Sequence, residues 1–265
     1  MKKIHLKLIP NFLKNRHVQF IFELGSRKGF NVWIVGGAIR DYLIGKSQSD
    51  IDFVYDIEPI RLFKLLEEEN IQVEKQFIHY GVLIIKLDSK KYYLTSLRKD
   101  YANDGRHSKV KFTNLLAVDA KRRDLTINSL YLNQNLEIID FYSGIEDIEN
   151  CKLKFIGEIQ ERCFEDHLRI LRYFRFCSIF KNPIIPESYV KFFKKNSSLI
   201  KKLSLERVIS ELKKIFENEF YQNSVSLFKL INLEEYLLNE IINKNKDNDL
   251  RKYFLQKNIN YITFK

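Results

Sequence analysis

The sequence has few of the residues that build disulfide frameworks, zinc sites or membrane segments. Its 265 residues include only three cysteines, Cys151, Cys163 and Cys177, and none belongs to a CxxC pair. This spacing predicts reduced thiols in a cytoplasmic protein and argues against disulfides and zinc. No run of about 18 apolar residues occurs, which argues against a transmembrane helix. The basic N-terminus, MKKIHLKLIPNFLKN, lacks a continuous apolar stretch, so we expect no signal peptide.

The sequence is also short of acidic charge. It has 45 Lys and Arg against 34 Asp and Glu, which gives a formal net charge of +11. This balance favours a polyanionic partner, nucleic acid before an anionic membrane surface. Lys, Asn and Ile are all abundant, as in AT-rich genomes, so charge alone does not decide between nucleic-acid binding and compositional bias. Hydrophobic residues make up 45% of the chain, which is enough for a folded core.

The pattern of apolar residues divides the chain near residue 148. Short β-branched and aromatic runs predict strands in the first part, namely 32–35, 51–55, 81–87, 91–97 and 137–142. Helical spacing predicts helices between them, over 10–29, 38–45, 58–69 and 124–131. Beyond residue 148 the spacing predicts helices alone, with Pro183 and Pro186 separating two of them. We therefore predict an α+β fold, with a mixed-sheet domain at 1–148 and an all-helical region at 149–265.

Two aspartates occupy alternate positions of a predicted strand, in SDIDF. Side chains at i and i+2 of a strand share a face, so Asp50 and Asp52 are expected to lie together. Adjacent carboxylates repel each other unless a cation neutralises them. Hard oxygen ligands suit Mg²⁺, which also binds a substrate's phosphates. A solvated strand end is the alternative interpretation. The sequence offers no clear third carboxylate, and Asp88 and Asp100 are no more than candidates.

A pair of glycines precedes the aspartates, between a predicted strand and a predicted helix. Gly36 and Gly37 let backbone N–H groups approach a phosphate at the start of that helix. Arg40 lies one turn further and can reach the same phosphates. Asp41 is expected to cap or brace the helix. The pattern therefore predicts a turn that holds a triphosphate, next to aspartates that hold the metal bridging it.

These segments resemble the motifs of class II tRNA nucleotidyltransferases, the CCA-adding enzymes, and of the related bacterial poly(A) polymerases. The resemblance extends in order over about residues 30–216, through GGAIRDYLIG with DIDF, KRRDLTINSLYL, IIDFYSGIEDIENCKLKFIG, FEDHLRILRYFRF and SLERVISELKKIF. It implies a polymerase-beta-like palm domain with a mixed sheet, followed by a helical neck and body. It also implies an enzyme that adds C and/or A from CTP and ATP to the 3′ end of tRNA, with Asp50 and Asp52 as catalytic ligands of Mg²⁺.

The segment FEDHLRILRYFRF places Asp166 and Arg169 three residues apart, on one face of a predicted helix. One carboxylate and one guanidinium can bind the amino donor and ring acceptor that cytosine and adenine share, whereas uracil and guanine present the opposite polarity. Glu165 can hold the guanidinium at i+4. An ordinary ion pair has the same spacing, and the resemblance favours base selection. Arg172 and Arg175 continue the stripe and would repel each other unless they face phosphates; by resemblance both line the nucleotide pocket.

The segment KRRDLTINSL supplies the remaining predicted contacts. Asp124 is expected to cap a helix with Asn128 in its first turn, and capping alone is the alternative to a nucleotide contact. By resemblance this motif holds the incoming ribose, through Arg123 first and then Asp124 and Asn128. The polar segment 96–112 resembles the flexible loop that helps CCA-adding enzymes switch from C to A.

Several alternatives remain open at the level of sequence. An A-adding enzyme or poly(A) polymerase keeps the same chemistry, and an enzyme that adds only CC is disfavoured by the predicted loop at 98–110. A non-catalytic RNA-binding relative would have lost one of the paired aspartates, and both are present. We expect the helical region to grip a tRNA acceptor stem mainly through phosphates, with no membrane partner. The region is short for this family, and how addition stops, the product and the oligomeric state stay open.

Overall fold

The computed structural model describes residues 1–46, 50–103, 108–233 and 236–237. The chain forms two compact units, which we call the head and the helical unit. The head comprises residues 1–150 and 154–158, and the helical unit comprises residues 151–153 and those from 159 onward. No helix within the described ranges is long and apolar enough to cross a bilayer.

A mixed sheet forms the centre of the head. Its strands, with the two of a separate hairpin, are β1 Lys2–His5, β2 Val32–Val35, β3 Asp52–Tyr55, β4 Gln72–Glu74, β5 Val82–Leu87, β6 Lys90–Ser96, β7 Arg98–Asn103, β8 Ser108–Phe112, β9 Leu130–Leu132 and β10 Glu137–Asp140. The order in the 8-stranded sheet is β1-β10-β9-β2-β3-β6-β5-β4. Among the described strands only β3 and β6 pair in parallel.

Helices cover the two faces of this sheet. They are α1 Arg16–Lys28, α2 Gly37–Leu43, α3 Pro59–Glu68, α4 Leu116–Arg122 and α5 Gly144–Glu149. On one face Phe22 of α1 packs against Phe53, with 6.1 Å between the ring centroids. On the other face Ala120 of α4 joins a buried cluster that includes Val54 and Tyr131. We call this second face the α4 face; because side chains alternate along β3, it also carries Asp52.

Two predictions for the head are wrong. Residues 124–131 form no α-helix: a single 3-10 turn at Thr126–Asn128 leads into β9, which pairs with both β2 and β10. Asp124 caps no helix, since its Oδ1 accepts bonds from the N–H of Leu125 and the side chain of Asn128.

Segment 96–112 is not a plain loop, because β7 and β8 pair as an antiparallel hairpin. Residues 104–107 of that segment lie outside the described ranges.

The helical unit contains α6 Ile159–Glu165, α7 Leu168–Cys177, α8 Glu187–Lys195, α9 Leu205–Glu217 and α10 Tyr221–Leu230. Its core is aromatic: Phe174 of α7 lies 5.1 Å from Phe193 and 5.5 Å from Phe228, measured between ring centroids. Pro186 is the N-cap residue of α8, so the predicted break between helices is confirmed. The predicted loose attachment of the last residues concerns positions outside the described ranges. The mixed sheet followed by helices confirms the predicted α+β class.

All three cysteines carry free thiols. Cys163 and Cys177 are buried, and Cys151 is partly exposed. Burial raises the pKa of the Cys163 thiol to about 12 and raises that of Cys177 as well. Both buried thiols are therefore almost fully protonated near neutral pH and are poor nucleophiles.

Candidate active site

Asp52 is the first residue of β3, and its side chain reaches solvent while the next residue, Phe53, is fully buried. Asp50 is exposed and precedes the strand rather than lying within it. Loss of hydration raises the pKa of the Asp52 carboxyl above its ordinary value; the Arg123 charge opposes this rise, and the Asp50 charge adds to it. The two carboxylates therefore act on each other, and an arginine from the KRRD segment acts on the same group.

The donor set at Asp50 and Asp52 fits a hard divalent cation. Mg²⁺ is usually bound by one or two carboxylates and completes its octahedron with water and substrate phosphates. Within the described ranges no three His, Cys, Asp or Glu side chains cluster as a ready-made metal site. Asp88 is bonded instead to Arg16 and His17, and Asp100 pairs with Arg98 at 3.2 Å. Neither therefore acts as the third carboxylate in this conformation.

Gly36 forms the turn beside these aspartates. Its φ of 73° and ψ of −113° define a backbone conformation that side-chain-bearing residues rarely adopt. A Cβ atom here would lie 3.4 Å from the carbonyl oxygen of Asn128 and 3.8 Å from Nη1 of Arg123. Gly37 is the first residue of α2. The glycine thus leaves room next to an arginine, as a phosphate-binding turn requires.

A chain of hydrogen bonds ties α2 to the KRRD segment. Asp41, only 7% exposed, accepts bonds from Nε and Nη2 of Arg40 at 2.9 and 2.7 Å. Nη1 of Arg40 donates to Oδ1 of Asn128 at 2.6 Å, and Nδ2 of Asn128 donates to Asp124 at 3.1 Å. Asp41 therefore braces α2 as expected, and its bonding partner is Arg40. Phosphate binding by Arg40 itself stays a prediction.

Arg123 is held by a buried carboxylate that the motifs did not reveal. Nε and Nη2 of Arg123 donate to Oδ2 of Asp119 at 3.1 and 2.9 Å, and Nε also donates to the Tyr131 hydroxyl at 2.8 Å. Tyr131 donates to the same carboxylate oxygen at 2.8 Å, and Arg122 donates to the other at 2.8 Å. Asp119 therefore aims Arg123 toward Gly36. The spacing of Asp119 from the two arginines, i+3 and i+4, was the available signal.

In the helical unit Asp166 lies just before α7 rather than on its face. Its Oδ1 accepts the N–H of Leu168 at 3.1 Å and a bond from Nη2 of Arg207 at 3.0 Å. The N–H of Arg169 donates to the Asp166 carbonyl at 3.1 Å, so one turn of backbone joins the predicted pair. Both side-chain bonds end on Oδ1, and base selection by Asp166 stays a prediction.

Arg169 is held as the sequence predicts. Its Nη1 donates to Glu165 at 2.5 Å and to the carbonyl of Arg162 at 2.9 Å, and the residue is only 9% exposed. The expected i+4 contact from Glu165 is confirmed. Both bonds use Nη1, and base selection by Arg169 stays a prediction.

The argument that the arginine stripe needs phosphates to balance its charge does not hold for Arg175. Arg175 pairs with Glu211 of α9, with 2.9 Å between Nε and Oε2, so a carboxylate already balances its charge. The Arg172 guanidinium lies 5.8 Å from the centre of the Phe176 ring. Arg207 and Glu211 of the SLERVISEL segment thus supply partners that the motif alone did not assign. Nucleotide binding by Arg172 and Arg175 stays a prediction.

The comparisons with known proteins agree with this geometry. A family model described as "Poly A polymerase head domain" matches residues 32–154, and one described as "Probable RNA and SrmB- binding site of polymerase A" matches residues 184–244. The chain is 34% identical over 219 residues to the mitochondrial CCA tRNA nucleotidyltransferase 1 of Homo sapiens, covering 81% of this chain and 50% of the relative. It is 31% identical over 222 residues to a CCA-adding enzyme of Streptococcus sanguinis, and the match covers 82% of this chain and 54% of that relative.

A solved structure gives the same result. The Bacillus stearothermophilus CCA-adding enzyme in complex with CTP matches with a TM-score of 0.75 and 25% identity, over 93% of this chain and 58% of the other. The chain therefore spans about half the length of the curated relatives it matches.

A mixed sheet that presents paired aspartates beside a glycine turn, with helices following, defines a nucleotidyltransferase head and its helical extension. More specifically, the chain belongs to the family of class II tRNA nucleotidyltransferases and bacterial poly(A) polymerases. The resemblance predicted from the motifs is confirmed.

Proposed function

We propose that this protein adds C and/or A from CTP and ATP to the 3′ end of tRNA without a nucleic-acid template. The 3′ hydroxyl attacks the α-phosphate, a new phosphodiester bond forms, and pyrophosphate leaves. The observation that carries the proposal is geometric: Val35, the residue before the Gly36 turn, pairs directly with Asp52, and Nη1 of Arg123 lies 3.8 Å from the position of a Cβ at Gly36. Two separate motifs therefore converge on the carboxylate expected to do the chemistry.

Asp50 and Asp52 would hold Mg²⁺. When bound, the ion supplies charge stabilisation for the attacking hydroxyl and for the leaving pyrophosphate. The Gly36–Gly37 turn and Arg123 hold the triphosphate, with Arg123 kept in place by Asp119. Asp124 and Asn128 place the ribose. These contacts act mainly by orienting the reacting groups.

Asp166 and Arg169 would select the base. Oδ2 of Asp166 accepts the exocyclic amino group of cytosine or adenine, and Nε or Nη2 of Arg169 donates to the adjacent ring nitrogen. Uracil and guanine would instead place a carbonyl oxygen against the carboxylate. An unmatched buried polar group costs about 1–3 kcal/mol, which disfavours the wrong base by about 5-fold to 160-fold.

The test is the length of the product. Transcribed tRNAs that end before CCA, after C and after CC are incubated with CTP or ATP separately, with Asp52→Asn as the inactive control. Completion of CCA supports the proposal. Addition of A alone or of a long A tail identifies the A-adding enzyme or poly(A) polymerase, and CC alone identifies a CC-adding enzyme. Binding of tRNA without metal-dependent incorporation would leave a non-catalytic relative.

The contact between Glu165 and Arg169 gives a prediction about base choice. In Glu165→Gln the charge-assisted bond that holds the guanidinium is lost, so we expect CTP and ATP to lose about tenfold in kcat/KM relative to UTP. The matched control is Glu161→Gln, an exposed residue one turn earlier in α6. Competition between CTP and UTP measures the ratio. Unchanged discrimination in Glu165→Gln would show that Arg169 needs no such support.

A further inference from the structure

A row of directly paired residues crosses the sheet at the level of Asp52. In the strand register Asp52 lies opposite Val35 on β2 and opposite Tyr93 on β6. Tyr93 in turn lies opposite Ile84 on β5. Paired residues share a face, so Tyr93 stands next to Asp52 on the α4 face.

Tyr93 is an unusual residue for that position. Its side chain is 42% exposed, whereas the flanking residues Tyr92 and Leu94, which point to the opposite face, are 6% and 1% exposed. A large aromatic side chain in the middle of a sheet, next to a reactive carboxylate, is therefore open to solvent. An aromatic face open in this way offers a stacking surface for a nucleobase.

Positive charge continues from Tyr93 along the same face. Lys91 is two residues before Tyr93 on β6, and Lys86 lies directly opposite Lys91 on β5. Both are exposed. Glu74 pairs with Lys91 at 2.6 Å, whereas Lys86 forms no ion pair with any residue in the described ranges. This half of the face combines one aromatic ring with cations, the combination that single-stranded RNA requires.

The geometry of phosphoryl transfer determines from which side of Asp52 the RNA approaches. The triphosphate elements Gly36 and Arg123 lie with β2 and β9, on one side of β3. In phosphoryl transfer the attacking and leaving oxygens lie roughly in line, on opposite sides of the phosphorus. The attacking hydroxyl therefore approaches from the β6 side, where Tyr93 stands.

We propose that the β6–β5 half of the α4 face docks the single-stranded 3′ end of the acceptor RNA. Tyr93 stacks on the terminal base, and Lys86 and Lys91 contact the phosphates behind it. This inference rests on the proposed function, because it assigns the primer side of the same reaction. Tyr93 is thus a substrate-positioning residue, and it takes no part in proton transfer.

The experiment compares two labelled RNA hairpins that differ only at the 3′ end. One ends in an unpaired discriminator nucleotide followed by CC, and the other is blunt. Dissociation constants are measured by fluorescence anisotropy, without nucleotide, for the wild-type protein and for Tyr93→Ala, Tyr93→Phe, Lys86→Gln and Lys90→Gln. Lys90 is the matched control, since it lies on β6 beside Lys91 and points to the opposite face.

We expect Tyr93→Ala to weaken binding of the overhang RNA about tenfold and to leave the blunt RNA unchanged, while Tyr93→Phe keeps the stacking and the affinity. Lys86→Gln lowers the slope of log affinity against log salt by about one, and Lys90→Gln does not. Equal effects of Tyr93→Ala on both RNAs, or none, would overturn the inference. Because no turnover is needed, a failure of nucleotide addition in the wild type would count against the proposed function alone.

Discussion

Replacing Asp52 with Asn is expected to abolish nucleotide addition and leave the head at least as stable as before. In the proposed function this carboxylate binds the cation, whose charge stabilisation is worth several kcal/mol, so its loss is expected to lower the rate about a thousandfold or more. Asn keeps the size of the side chain and lacks its negative charge. The measurement is the rate of CTP incorporation into tRNA ending before CCA.

The stability expectation follows from the sign of the pKa shift. In the folded head the pKa of Asp52 is raised, first by loss of hydration and then by Asp50, against the opposing charge of Arg123. A carboxyl whose pKa is higher in the folded than in the unfolded state supports folding only while it is protonated, and its contribution is lost as the pH rises through the folded pKa. Near neutral pH the charged group therefore opposes folding in the metal-free protein, and Asn removes that opposition.

A control from the other end of the same region separates the two effects. Asp56 follows β3 and accepts two bonds from Asn31, at 2.8 Å from its backbone N–H and 2.6 Å from its side chain. Asp56→Asn is expected to lower the melting temperature and keep the rate, the reverse of Asp52→Asn. If Asp52→Asn instead lost its folded structure together with its activity, the carboxylate would be structural and the assignment as a metal ligand would fail.

The strands β2 and β3 were predicted correctly because the signal for them lies in a few neighbouring residues. VWIV coincides with β2 and IDFVY contains β3, since uninterrupted apolar runs between turns have few other solutions. The apolar spacing of residues 124–131 suits a helix, which is why a helix was predicted there, but pairing with β2 and β10 makes residues 130–132 a strand. Such pairing depends on residues far away in the chain, which a single sequence does not reveal.

The candidate site likewise contains some contacts that sequence spacing predicts and others that depend on the fold. The spacing of Glu165 and Arg169 was enough to predict their contact, because i and i+4 positions meet on any helix. The pairing of Asp166 with Arg207, 41 residues later, was not predictable from spacing. Neither was the exposure of Tyr93 beside Asp52, which depends on the register of two parallel strands. Short-range chemistry was therefore read from the motifs, whereas the partners that fix its geometry required the fold.

Replacing Asp119 with Asn is expected to cause a large loss of stability in the head. Asp119 is fully buried, and removing one partner from a buried, fully bonded ion cluster costs about 3–5 kcal/mol, because the arginines Arg122 and Arg123 lose their counter-charge. Urea unfolding monitored by Trp33, the one tryptophan of the chain and a residue of β2, measures the change. The surface counterpart is Glu69→Gln, which removes a carboxylate bonded to Arg27 and Lys28 and should have a much smaller effect.

The loss of folding stability at low pH tests the ion cluster around Asp119 independently. Burial alone would raise the pKa of Asp119, but the charges of Arg123 and Arg122 and the Tyr131 hydroxyl outweigh it and lower the pKa to about 2. A lowered pKa means that the carboxylate supports folding above the ordinary aspartate range, and that this support is lost as the pH falls toward about 2. Asp119→Asn should therefore flatten the pH dependence of unfolding in this window and raise the KM for CTP, because Arg123 is no longer aimed at the turn. A variant that lost stability equally at all pH values and kept its KM would show that Asp119 only packs the core and does not position Arg123.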